Sequence, residues 1–130
     1  MQRFVLSILA ICALVLTVSM ASAAPECPAD MKLTAPEGYK VTKTPVDFSH
    51  AKHKAAEIEC ASCHHTWDGK GEVKSCAAAG CHDQPGKKGE NTYYSAFHAK
   101  DDKSCLGCHK AKKKAGNTVV PVSCKNCHPK

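Results

Sequence analysis

Four cysteine pairs in this chain each end in a histidine. They are Cys60-Ala-Ser-Cys63-His64, Cys76-Ala-Ala-Ala-Gly-Cys81-His82, Cys105-Leu-Gly-Cys108-His109 and Cys124-Lys-Asn-Cys127-His128. Two thiols at this spacing can add to the two vinyl groups on one edge of a porphyrin. The imidazole that follows then lies under the iron as an axial ligand, which is how c-type haem is attached. In the second pair the intervening residues Ala77, Ala78, Ala79 and Gly80 are small, so the extra backbone can loop out beside the ring. Two other chemistries use cysteine in this way. A disulfide framework needs no histidine, yet every pair here has one in the same place. A structural zinc site draws four ligands from two knuckles, and these units lack the second half. Haem fits better than either.

The remaining histidines complete the count. Of eight in the sequence, four follow cysteine pairs, which leaves His50, His53, His65 and His98. Four irons would each have one open axial position, so four spare imidazoles fill four vacancies. No methionine is required, and Met31 is the only one in residues 24–130. Ligation by two histidines gives a lower potential than ligation by histidine and methionine. An iron with both axial sites filled has nowhere to bind a substrate, but it can gain and lose an electron with little change in geometry. The sequence therefore predicts an electron carrier without catalytic residues. A reductase acting on a metal ion or oxyanion would need an open iron. Metal reduction at an exposed haem edge is at most incidental.

His64 and His65 are adjacent, and this constrains the arrangement. Neighbouring residues in a helical turn point about 100° apart, so the two rings cannot serve one iron. If both bind, they bind different irons, from Cα atoms about 3.8 Å apart. The haems so tied must lie almost in contact, and His65 is the bridge between them.

The elements that position these residues are short. Residues 1–23 read as a signal peptide: Arg3, an apolar run from Phe4 to Val18, then the small-x-small site Ala21-Ser22-Ala23. The run is 15 residues, short of the roughly 20 that a membrane span needs. Cys12 lies inside it, so a lipoprotein signal does not fit. Export follows, with residues 24–130 as one small domain. That domain holds only eleven Leu, Ile, Val and Phe residues, well below the roughly 20% at which a chain builds a core. Buried apolar mass must come from something other than side chains. The segment 24–43 reads as an irregular arm, with at most a short strand pair at Met31–Leu33 and Val46–Phe48. FSHAKH sets His50 and His53 on one side of a helical turn. Residues 69–71 and 85–91 are loops by their Gly, Pro and Lys content. Tyr93–Lys100 can form a helix with Tyr94, Phe97 and His98 on one face. Leu106–Ala115 is a second helix, ended by Gly116. Haem should occupy the centre, with the protein wrapped around it.

With those motifs in order, the whole of residues 24–130 resembles the class III tetrahaem cytochromes c, the cytochrome c3 family of sulfate-reducing bacteria. FSHAKH, the Cys-x-x-Cys-His-His box, the longer second motif and Tyr93-Tyr94 before His98 carry the likeness. The resemblance implies a periplasmic address and a small, mostly α, loop-rich multihaem cytochrome fold around four packed c-type haems. It also implies a ligand pairing that spacing alone does not give. Haem 1 would take His64 and His50, haem 2 His82 and His65, haem 3 His109 and His53, and haem 4 His128 and His98. Two features depart from the pattern. The fourth motif has two intervening residues where many members have four. Cys27 lies outside the pattern, and reads as a spare thiol in a flexible arm rather than half of an intermolecular disulfide.

Charge bears on partners. Residues 24–130 hold 17 Lys, no Arg and 12 acids. Eight haem propionates offset that excess, so the net charge says little. Its distribution says more: residues 98–130 have 8 Lys against 2 acids, whereas residues 24–97 have 9 Lys against 10 acids. Lys112, Lys113 and Lys114 sit at the centre of the basic end. A basic face around a redox centre steers an acidic partner. No nucleic-acid motif is present. The resemblance implies a periplasmic hydrogenase docking near haem 4 and the Lys112–Lys114 patch, membrane-associated redox complexes as further partners in sulfate respiration, coupled proton uptake, and a monomer.

Overall fold

The computed structural model describes residues 26–130, and the expected leader at residues 1–23 lies outside them. Strand β1 (Met31–Leu33) pairs antiparallel with β2 (Val46–Phe48), with Met31 opposite Phe48 and Leu33 opposite Val46. This is the strand pair the sequence suggests. Lys32 faces Asp47 across it, and their side chains form an ion pair.

The strand β2 runs directly into α1 (His50–Ala55). Ser49 caps that helix, its Oγ accepting from the Lys52 amide at 3.1 Å. The first turn of α1 has no acid of its own. Asp30 supplies one from the arm, its Oδ1 accepting from the Ala51 amide at 3.3 Å. A carboxylate at a helix N-terminus is favoured by the dipole and by the unpaired amides there. Glu57 turns the chain with φ 55°, and α2 (Cys60–Cys63) follows. Residues 69–71 and 85–91 are turns and bends, as their composition implies.

Helices α3 (Tyr93–His98), α4 (Cys105–Lys114) and α5 (Cys124–Cys127) complete the order. Three boundaries differ from the sequence reading, one of them only by the last residue of α4, Lys114 in place of Ala115. The α3 helix stops at His98, two residues before Lys100, because Ala99 turns extended at ψ 169° and its carbonyl accepts from Ser104 Oγ at 2.7 Å. The α4 helix starts one residue early because Ser104 caps it, accepting from the Gly107 amide at 3.0 Å. Gly116 ends it with φ 100°, the left-handed geometry that favours glycine.

Among the described residues no hydrophobic side chain is buried. The buried side chains are Thr92 and Ser104, 4% and 2% exposed, and each is the N-cap of a helix. The helices are thus anchored by satisfied polar caps rather than by an apolar core. The arm is irregular, as expected, but it is tied down. Tyr39 donates to the Asp83 carbonyl at 2.5 Å, Tyr93 donates to the Thr34 carbonyl at 2.8 Å, and Thr44 donates to the Pro129 carbonyl at 2.5 Å.

Candidate haem sites

Three of the four expected histidine pairs have their rings about 6 Å apart. The ring centroids of His53 and His109 are 6.1 Å apart, with 19° between their planes. His98 and His128 are 6.2 Å apart at 8°, and His65 and His82 are 6.0 Å apart at 68°. Two metal–imidazole bonds of about 2 Å, plus half a ring on either side, span about 6 Å. Each gap is therefore the width of one iron held between two imidazoles. His50 and His64 are near one another without that ring-to-ring arrangement. Burial holds His64 below the usual histidine range, and the neighbouring His50 and His65 add to the effect.

The other ring nitrogen of most of these histidines has a fixed partner. Nδ1 of His53 lies 2.7 Å from the Ser49 carbonyl, and that of His98 lies 3.1 Å from the Tyr94 carbonyl. His50 meets the Ala29 carbonyl at 3.3 Å and His82 the Glu90 carbonyl at 2.9 Å. His109 meets the Pro121 carbonyl at 3.0 Å and His128 the Thr44 carbonyl at 2.7 Å. A carbonyl at Nδ1 fixes the tautomer, leaves Nε2 as the free donor atom and makes it more basic.

The cysteine motifs share one backbone device. The His64 amide donates to the Cys60 carbonyl at 2.9 Å, and the His128 amide to the Cys124 carbonyl at 2.8 Å. In the longer second motif the His82 amide donates to the Cys76 carbonyl at the same 2.9 Å. The two extra residues are taken up by a turn at Gly80, φ 79°, whose amide donates to Asp83 Oδ2 at 2.9 Å. The ends of the motif are thus restored, as the small residues Ala77 to Gly80 suggest. No two cysteines among the described residues are bonded, and no three His, Cys, Asp or Glu side chains converge on a point there. Neither a disulfide framework nor a zinc knuckle is formed. Burial pushes the Cys105 thiol up to about 12, and the thiols of Cys63, Cys76 and Cys127 contribute. One cysteine from each of the other motifs thus lies within electrostatic reach of Cys105, although Cys63 and Cys76 are exposed.

Sequence reasoning missed two contributors, Phe48 and Gly107. Phe48 packs edge-on against His50 and stacks on His53, both at 4.7 Å. Its place two residues before His50, at the end of a strand leading into the helix, is the signal available. Tyr94 stacks on His98 at 4.1 Å and 7°, as their shared helix face implies, and Phe97 pairs with Tyr93. Gly107 is buried in the third motif, where a Cβ would fall 1.8 Å from the Asp101 carbonyl oxygen.

The sequence profile of the Class III cytochrome C family matches residues 28–128. The chain belongs to that family. It is 56% identical over 108 residues to a cytochrome c3 of Maridesulfovibrio salexigens, covering 81% of this chain and 97% of that protein. A cytochrome c3 of Desulfovibrio desulfuricans is 50% identical over 107 residues, covering 81% of this chain and 98% of that protein. In structure it is similar to the di-tetraheme cytochrome c3 of Desulfovibrio gigas, with a TM-score of 0.70, 38% identity, and 79% of this chain and 97% of that one covered. As a class III cytochrome c this chain is a multihaem electron carrier rather than an enzyme, with four c-type haems and redox partners. Its two-stranded sheet, short helices and long loops are the multihaem cytochrome fold expected.

Proposed function

We propose that this class III cytochrome c is an exported, periplasmic carrier whose four irons are each held by two of its own histidines. The pairs are His64 with His50, His82 with His65, His109 with His53 and His128 with His98. Cys60 and Cys63, Cys76 and Cys81, Cys105 and Cys108, and Cys124 and Cys127 form the thioethers, all within one domain, residues 24–130. The observation that carries this reading is the separation of about 6 Å between the rings of three of those pairs. Each haem supplies a one-electron iron couple. The chain's histidines would hold each iron from both sides, with backbone carbonyls orienting six of the eight imidazoles.

The donor is a periplasmic hydrogenase, and membrane-associated redox complexes are further partners in sulfate respiration. Residues 112–114 at the exposed C-terminal end of α4 favour docking of an acidic partner near haem 4. The carrier works as a monomer. Proton uptake accompanies electron uptake, because four added electrons leave the propionate-bearing cluster net negative. Among the described residues no helix is long and apolar enough to cross a membrane.

A haem count with optical and EPR spectra tests the ligand set: four low-spin haems per chain are expected, and a high-spin fraction overturns it. A redox titration at two pH values tests the coupling, which fails if no midpoint moves. Replacing Lys112, Lys113 and Lys114 by Gln should slow reduction by hydrogenase, most at low salt. An unchanged low-salt rate removes that patch from the docking site.

A further inference from the structure

The eight histidines are not equally held. Seven are partly buried, and His65 is exposed. Six have Nδ1 between 2.7 and 3.3 Å from a named carbonyl, whereas among the described residues the adjacent His64 and His65 show no such bond. Among the described residues nothing protein-borne meets Nδ1 of His65. The other three histidines outside the Cys–His motifs sit on helices: His50 and His53 on α1, and His98 at the end of α3. His65 lies on a turn after α2. His53 and His50 pack on Phe48, and His98 stacks on Tyr94. The only aromatic ring paired with His65 is that of His82 across the gap, and there the planes cross at 68°.

We propose that His65 is the exchangeable axial ligand of this protein, so that a small neutral π-acceptor such as carbon monoxide enters at the iron it shares with His82. The proposal rests on the ligand pairing given above. A carbonyl at Nδ1 strengthens the opposite nitrogen as a donor and holds the ring in place; His65 has neither benefit. Its turn can swing without unwinding a helix. Displacement breaks the bond from His65 Nε2 to the iron, and the incoming lone pair takes its place with no change in oxidation state. His64, fixed next door, keeps the freed imidazole within reach, so exchange is reversible.

Carbon monoxide binding to the dithionite-reduced holoprotein, counted per chain by the Soret change, tests this. Wild type should bind one equivalent. The variant His65→Ala should also bind one equivalent, several-fold faster, because nothing has to leave. An uptake of two by the variant means that wild type opens elsewhere, and overturns the proposal. So does wild type binding none, or more than one. The ferric spectrum of His65→Ala separates this failure from failure of the pairing. One high-spin haem in four upholds the pairing whatever the gas does, and four low-spin haems would remove His65 from the ligand set.

Discussion

At the scale of single residues, a sulfur in place of a nitrogen is the sharpest probe of the bridge between His64 and His65. The two histidines are adjacent in sequence, yet the ring of His65 faces that of His82, the histidine of the next motif. The substitution His65→Met should therefore act on the haem attached at Cys76 and Cys81, and leave the one attached at Cys60 and Cys63 nearly unmoved. Methionine raises the potential, and the shift should be a sizeable part of the about 0.8 V that axial ligation spans. Potentials assigned haem by haem through NMR would check it. A shift at the first-motif haem instead would break the pairing. The proposed ligands and attachment cysteines are named by the sequence alone, because cysteine and histidine announce themselves by type and spacing. The groups that hold them are not. Carbonyls of Ala29, Ser49, Glu90, Tyr94, Pro121 and Thr44 meet the rings, and a backbone carbonyl is the same group in every residue.

At the scale of elements, α4 is set by a close approach that only glycine permits. Gly107 lies against the chain at Lys100 and Asp101, where a Cβ would meet backbone that cannot give way. Overpacking of this kind costs about 1–3 kcal/mol or more. Gly107→Ala should lower the melting temperature and reduce haem occupancy at Cys105 and Cys108, whereas Leu106→Ala in the same motif meets no such clash. Mass spectrometry of the attached haems and a thermal melt would read both. Equal occupancy and stability in Gly107→Ala would mean that α4 can shift away from Asp101. Helix α1 offers a pH test. A hydrogen bond from Ser49 and another from the Ala51 amide hold the Asp30 carboxyl below its usual value. A carboxyl depressed in the folded state stabilises it above the unfolded pKa, about 3.9, and that contribution is lost as pH falls through the lower folded value. The Ala51 amide should thus lose its protection from hydrogen exchange below the ordinary carboxylate range. In Asp30→Asn that step should vanish; its persistence would assign the transition to another group. The sequence reading placed α1 and the β pair correctly but not this contact, which joins residues 21 apart and leaves no periodic mark.

At the scale of the whole molecule, composition and structure agree on what is missing from the chain itself. Eleven large aliphatic and Phe residues in residues 24–130 are too few for a core, and among the described residues none is buried. Ordering backbone costs roughly 1–2 kcal/mol per residue. The caps at Thr92 and Ser104, the tyrosine bonds of the arm and a three-residue strand pair cannot offset that over the length of the domain. That the haems dominate the fold was therefore readable from composition, while the arm's ties to Asp83 and Pro129 were not, since tyrosine and threonine hydroxyls carry no address in sequence. The consequence is a strict dependence of folding on cofactor attachment. Produced where thioether formation cannot occur, the chain should give the far-UV circular dichroism of an unfolded polypeptide and melt without a cooperative transition. The holoprotein should show helix and a cooperative melt. Stepwise loss of motifs gives a finer readout. Replacing both cysteines of one motif by Ala removes one thioether-bound haem, and midpoints should fall with each motif removed, because each haem supplies interior apolar surface that no side chain replaces. A haem-free chain with native helix content and a cooperative melt would show that the protein packs a core of its own, and the wrapper view of the fold would fail with it.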